Sequence, residues 1–86
     1  MKPYVVEYTA SAEKERDKLP RLARGRVDQA IQKLSENPRP VGSLKLKGEK
    51  NLFRIRAGKF RVVYSIFDEK ITVLIVRIRR RKDAYD

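Results

Sequence analysis

The stretch Leu52-Phe53-Arg54-Ile55-Arg56-Ala57-Gly58-Lys59-Phe60-Arg61-Val62-Val63-Tyr64-Ser65-Ile66-Phe67 reads as two strands joined by a turn. β-Branched and aromatic residues alternate with charged ones, and Ala57-Gly58-Lys59 interrupts the alternation where a hairpin turn belongs. Successive side chains of a strand point to opposite faces. Phe53 and Ile55 therefore share one face while Arg54 and Arg56 share the other. In the second strand Phe60, Val62, Tyr64 and Ile66 form one row, and Arg61, Val63, Ser65 and Phe67 the other. After a turn at Asp68-Glu69-Lys70, residues Ile71 to Ile78 predict a third strand. Its rows are Val73, Ile75, Arg77 and Arg79, and Thr72, Leu74, Val76 and Ile78. Burying the more apolar rows puts Leu74 and Val76 in the core and gathers Arg54, Arg56, Arg61, Arg77 and Arg79 on the opposite face.

Working outward, the apolar rows need a cover, and the N-terminal half supplies it. Tyr4 to Thr9 alternates and predicts a strand. Thr9 or Ser11 can cap a helix over about Ala10 to Leu19, with Glu13 in the first turn favouring its positive end. Pro20 breaks that helix and suits the start of another. In the second helix Leu22, Ala23, Val27, Ala30, Ile31 and Leu34 recur at helical spacing to about Glu36, where Asn37-Pro38-Arg39-Pro40 stops it. Leu44 and Leu46 predict a short strand and Gly48-Glu49-Lys50-Asn51 a turn. The expected fold is α+β: an N-terminal strand, a two-helix hairpin, then an antiparallel β-meander packed on the helices, with a basic C-terminal tail from Arg79 to Asp86. The predicted core is Leu22, Val27, Ile31, Leu34, Phe53, Ile55, Val62, Tyr64, Leu74 and Val76. The first strand is expected to pair inside the sheet rather than at its rim, making the sheet mixed.

At 86 residues the chain predicts one domain, residues 1–86, with a thin core. It has no cysteine and no histidine. Disulfides, thiolate or imidazole metal ligands and histidine-dependent nucleophilic catalysis are thereby excluded. No metal or cofactor is expected, and any catalysis must use Arg, Lys, Tyr, Asp or Glu. No segment reaches the roughly 20 apolar residues of a membrane span. The N-terminal residues show no hydrophobic signal block, so a cytoplasmic location is expected.

Lys and Arg number 22 against 11 Asp and Glu, a net charge of +11. So strong a field on so small a body favours a polyanion. The arginine face sharpens this. Adjacent strands lie about 5 Å apart, so the guanidiniums converge. Like charges on neighbouring strands repel, and almost no carboxylate is expected on this face to balance them. Val63 and Phe67 on the same face point to a protein partner as well. In the tail, Arg79-Arg80-Arg81-Lys82 followed by Tyr85 combines cations for phosphate with a ring for base stacking.

These features together resemble the RelE/ParE toxin superfamily. The resemblance rests on Leu52 to Tyr64, on Lys47-Gly48 before it, on the closing Arg80-Arg81-Lys82-Asp83-Ala84-Tyr85, and on the element order, and it covers essentially the whole chain. Members of the RelE type are endoribonucleases that enter the ribosomal A site and cut the message there. The resemblance implies a catalytic set of Arg54, Arg56, Arg61, Arg80 or Arg81, and Tyr85, with Lys47, Arg77, Arg79 and Lys82 holding RNA. Where many relatives carry Gly-His, this chain has Arg79-Arg80, and where relatives use Lys in the basic-x-basic pair it has Arg54 and Arg56. The implied partners are mRNA and rRNA on the ribosome and a small RelB-like antitoxin that silences the toxin.

Such a site would act on a nucleophile that RNA itself carries. The 2′-OH attacks the adjacent phosphorus in line and the 5′-oxygen leaves. Arginines suit phosphate contact and charge neutralisation. Arginine is a poor base, whereas Tyr85 among cations has its phenolate favoured. Tyr85 is thus expected as general base or as a stacking residue. Two other readings stay open: a ParE-like gyrase inhibitor, and a non-enzymatic module that binds nucleic acid.

Overall fold

The computed structural model describes residues 3–48 and 51–80. Strand β1 (Val5–Tyr8) leads through Thr9 into helix α1 (Ala10–Asp17). Thr9 is extended, and its Oγ1 accepts a hydrogen bond from the Ala12 N–H at 3.1 Å, satisfying one of the helix's otherwise unpaired first amides. Helix α2 (Arg21–Glu36) starts directly after Pro20 and ends where Asn37 turns extended ahead of Pro38. Val27, Ile31 and Leu34, spaced i, i+4 and i+7, form its buried stripe.

Strands β2 (Leu44–Lys45), β3 (Phe53–Ala57), β4 (Phe60–Phe67) and β5 (Thr72–Arg80) complete a five-stranded sheet of order β1-β5-β4-β3-β2. The β3–β4 turn needs a left-handed residue, which Gly58 supplies at φ +62°. A 3₁₀ turn over Asp68–Lys70 joins β4 to β5. Strands β2 to β5 run antiparallel in sequence order, and β1 lies parallel to β5. The sheet is mixed, as expected, but β1 sits at its rim rather than inside. Consecutive hairpins fill every internal place, so β1 can join only at a free edge, and long β5 offers one.

One face of the sheet carries the core. Ile55, Val62, Tyr64, Ile66, Val73, Ile75 and Ile78 are buried there against Ala12, Leu19, Val27, Ile31 and Leu34. Phe53 stacks on Tyr64 at 5.8 Å between ring centroids, and the buried Tyr64 hydroxyl donates to the Pro38 carbonyl at 2.8 Å. No helix among the described residues is long and apolar enough to cross a membrane.

Three of the expected core residues are corrected. Leu22 is 85% exposed. It lies five residues before Val27, about 140° round the helix at 100° per residue, and so points away from the stripe. Leu74 and Val76 are only half-buried, while Val73 and Ile75 are fully buried. The cause is a β-bulge. Tyr64 pairs with Ile75 but its neighbour Val63 pairs with Arg77, leaving Val76 as the extra residue. The bulge shifts the phase of β5, so Val73, Ile75 and Ile78 all reach the helix face while Arg77 and Arg79 reach the other.

Candidate nucleic-acid interface

The open face of the sheet, away from the helices, carries two rows of side chains across β3, β4 and β5. Arg54, Val63 and Arg77 are register partners in one row, and Arg56, Arg61 and Arg79 in the next. Leu44 of β2 extends the first row beside Arg54. Alternation along β3 and β4 produces most of this directly. Ile55 and Val62 turn inward, so Arg54, Arg56 and Arg61 must turn outward. On β5 the bulge is what brings Arg77 and Arg79 into line.

The cations are not equivalent. Arg54 is 7% exposed, Arg61 is half-buried, and Arg56, Arg77 and Arg79 are exposed. Burial, and then the charges of Arg54 and Arg56, lower the Arg61 guanidinium from its ordinary pKa. Arginine stays protonated regardless. The downward shift marks a cation held beside like charges in a partly desolvated place.

The expectation that almost no carboxylate balances this face is corrected at its β5 end. Glu15, from α1, places Oε2 3.3 Å from Arg77 Nη1 and 3.6 Å from Arg79 Nε. Its Oε1 accepts the Ile78 N–H at 2.8 Å. Beyond Ile75 the edge of β5 has no β1 residue to pair with, and α1 takes over. Thr9 Oγ1 donates to the Val76 carbonyl at 3.1 Å, and Glu15 receives the next outward amide. Sequence reasoning missed Glu15 because its partners lie more than sixty positions away and nothing local marks it.

The other predicted site residues are placed as follows. Arg80 belongs to the opposite row, paired with Phe60, and lines a groove on the helix side with Leu19, Ala23 and Phe60. The structure thus brings Arg79, rather than Arg80, beside Arg61. Lys47 is exposed in the β2–β3 connection, at the end of β3 remote from Arg56. Arg81, Lys82 and Tyr85 lie outside the described residues. Among the described residues no group of three or more His, Cys, Asp or Glu is placed to hold a metal ion. A cleft of about 480 Å³ between α1, α2 and β1 contains the Arg16–Asp28 pair, joined by two hydrogen bonds of 2.8 Å, and none of the predicted site residues.

The family described as the ParE toxin of the type II toxin–antitoxin system parDE matches residues 6–85. Toxin RelG of Mycobacterium tuberculosis is 37% identical over 84 residues, covering 96% of this chain and 97% of that protein. The mRNA interferase toxin RelE of Escherichia coli is 29% identical over 86 residues, covering 95% of this chain and 90% of that protein. Among solved structures, the archaeal RelE–RelB complex from Pyrococcus horikoshii superposes with a TM-score of 0.81 at 26% identity, covering 95% of this chain and 99% of that one.

Proposed function

Since this chain belongs to the RelE/ParE toxin superfamily of type II toxin–antitoxin systems, we propose that it is an endoribonuclease that cuts message in the ribosomal A site. The observation that carries the reading is the Arg56–Arg61–Arg79 row, flanked by Arg54 and Arg77. Three adjacent strands of a rigid sheet hold these cations together, and a bent RNA backbone offers matching anions. Similarity to the E. coli mRNA interferase supports the same chemistry.

In the proposed reaction the 2′-OH of one nucleotide attacks its own 3′-phosphorus in line. A general base, assigned to the Tyr85 phenolate, takes the 2′-proton. The phosphorus–5′-oxygen bond breaks, leaving a 2′,3′-cyclic phosphate, and the departing 5′-oxygen takes its proton from water. Arg61 and its neighbours bind the non-bridging oxygens and stabilise the extra charge of the phosphorane. The ribosome contributes by holding the message in the reactive geometry, the orientation term that arginines alone do not supply. Lys47, Arg77 and Lys82 are assigned to RNA contact, and Arg80 and Arg81 remain candidates for the late catalytic cation. The whole chain is assigned to one toxin domain working in the cytoplasm without cofactor, on mRNA and rRNA.

A small RelB-like antitoxin is the proposed inhibitor, supported by the archaeal relative solved as a RelE–RelB complex. The apolar members of the open face, Val63, Leu44 and Phe67, fit an amphipathic segment, and the surplus of cations fits an acidic one. The second reading is a ParE-like gyrase inhibitor, favoured by the description of the matching family.

The test is a translation reaction with purified ribosomes and message, read by primer extension, alongside a gyrase supercoiling assay. The expected result is new 5′ ends within A-site codons and unaffected gyrase. Arg61→Ala is expected to cut about 10²–10³-fold more slowly, the usual cost of one lost transition-state contact. Its urea midpoint and amide spectrum check that the fold is retained. Gyrase inhibition without new message ends would select the second reading instead.

A further inference from the structure

We propose that Glu15 is a positioning residue for the arginine row, acting through Arg79. This rests on the RNA-cleavage reading and deepens it. Arg79 ends the row that begins at Arg56, and Arg61 stands between them. Two opposite demands meet at that end. The row must present cations to RNA, yet a side chain as long as arginine, about half exposed and beside two like charges, would by itself swing away from them.

Glu15 answers this because its own carboxylate is anchored. Oε1 accepts the Ile78 N–H at 2.8 Å, so the carboxylate is tied to the backbone of the strand that carries Arg77 and Arg79. Its side chain is only 25% exposed. The second oxygen faces Arg79 through Nε, the nitrogen nearest the chain, at 3.6 Å. Contact at Nε leaves the two terminal nitrogens of Arg79 available for the fork that grips phosphate oxygens. Arg77 meets the same oxygen through a terminal nitrogen, Nη1, at 3.3 Å. Exposed ion pairs add little to stability. The value of this one is orientation. It fixes where one cation of the row points and, through the Ile78 amide, ties α1 to the segment of β5 that the bulge re-aims.

The substitution Glu15→Gln separates this role from a structural one. Glutamine keeps an oxygen for the Ile78 amide but loses the charge that draws Arg79. In ribosome-dependent cleavage kcat is expected to fall on the order of tenfold, because a displaced contact group degrades the reactive geometry. KM should stay level or fall, since the face gains net positive charge and RNA binds no more weakly. Placed in an Arg79→Ala background, Glu15→Gln should cost nothing further. In ¹H–¹⁵N spectra the Arg79 Nε–Hε signal should move in Glu15→Gln, while the Ile78 amide stays near its wild-type position. Unchanged or raised kcat overturns the proposal, as does a tenfold loss that persists without Arg79. Loss of kcat together with a collapsed amide spectrum assigns Glu15 a structural role and overturns it too. If the wild-type protein cuts no message on ribosomes while gyrase or free RNA responds, the cleavage reading fails by itself. The Arg79 signal then decides positioning: an unmoved signal in Glu15→Gln overturns it, and a moved one upholds it.

Discussion

Strands β4 and β5 lie side by side, pair along their lengths and belong to the same core, yet one keeps its period and the other does not. Along β4 the inward residues Phe60, Val62, Tyr64 and Ile66 alternate without a break. Along β5 the inward residues are Val73, Ile75 and then Ile78, three positions on. The difference is one extra residue, Val76, accommodated as a bulge. A regular β5 would have carried Arg77 and Arg79 to the face that holds Val73 and Ile75. Burying two cations without partners costs far more than a local disruption of the ladder. The bulge therefore wins, and with it comes the arginine row. Phase, more than composition, decides what this sheet presents to its surroundings.

The comparison can be broken most forcefully at Ile75. It is completely buried, whereas its neighbour Leu74 is on the open face and half-buried. Ile75→Ala should cost about 2–5 kcal/mol of unfolding free energy, the usual sum of lost transfer and residual cavity. Leu74→Ala should cost less than about 1 kcal/mol. Urea unfolding of both variants measures the two values. Equal costs would mean that β5 has no preferred phase in its first half.

Much of this was legible in the residues themselves. Every element is where the sequence places it to within a residue or two, because caps such as Thr9 and breakers such as Pro20 and Pro38 act locally. The outward direction of Arg54, Arg56 and Arg61 was legible because β3 and β4 alternate regularly. What failed was β5 taken as one unbroken alternation. Both of its rows contain apolar residues, so periodicity leaves two frames open, and the row Val73, Ile75, Arg77, Arg79 changes character halfway. That change is the trace of the bulge, visible once Tyr64–Ile75 and Val62–Ile78 pairing is known. Leu22 failed because it is apolar near a stripe without being on it. Glu15 and the rim position of β1 are set by tertiary placement, which no window of sequence contains.

A smaller effect sharpens the comparison from the other side. Deleting Val76 leaves Ile75 followed by Arg77, so simple alternation now sends Ile75 and Ile78 inward and Arg77 and Arg79 outward. The variant should fold with β5 as regular as β4. Its loss should be about 1–2 kcal/mol, from the Thr9 hydrogen bond to the Val76 carbonyl and imperfect repacking of the edge. Denaturant unfolding with amide spectra of Ile75 and Ile78 would check this. A deletion that abolishes folding would show that Val76 is a core element rather than the extra residue of a bulge.

The smallest expected effect lies in the turn that joins the two strands. Asp68 accepts hydrogen bonds from Arg39 Nη2 at 2.9 Å, from Arg39 Nη1 at 3.3 Å and from the Tyr4 hydroxyl at 2.7 Å. Arg39 also lies over the Phe53 ring, 5.7 Å from its centroid, so the clamp ties β1, the α2–β2 connection and the β4–β5 turn together. The hydrogen bond from Arg39, then that from Tyr4, holds the Asp68 carboxyl below its ordinary range. A carboxyl whose pKa is lower in the folded state stabilises the fold when ionised. That contribution is complete above the ordinary carboxylate value of about 4, and it is lost as pH falls from there through the depressed folded value. Asp68→Asn should therefore be slightly less stable than the parent at pH 7, and the gap should close on acidification below about pH 4. Because the turn is exposed, added salt should narrow the gap at neutral pH as well. Urea midpoints of the two proteins between pH 7 and 2.5, at low and high salt, measure it. A gap independent of both pH and salt would mean that Asp68 holds the turn by its shape and hydrogen-bonding alone. The β4–β5 connection would then owe nothing to its charge.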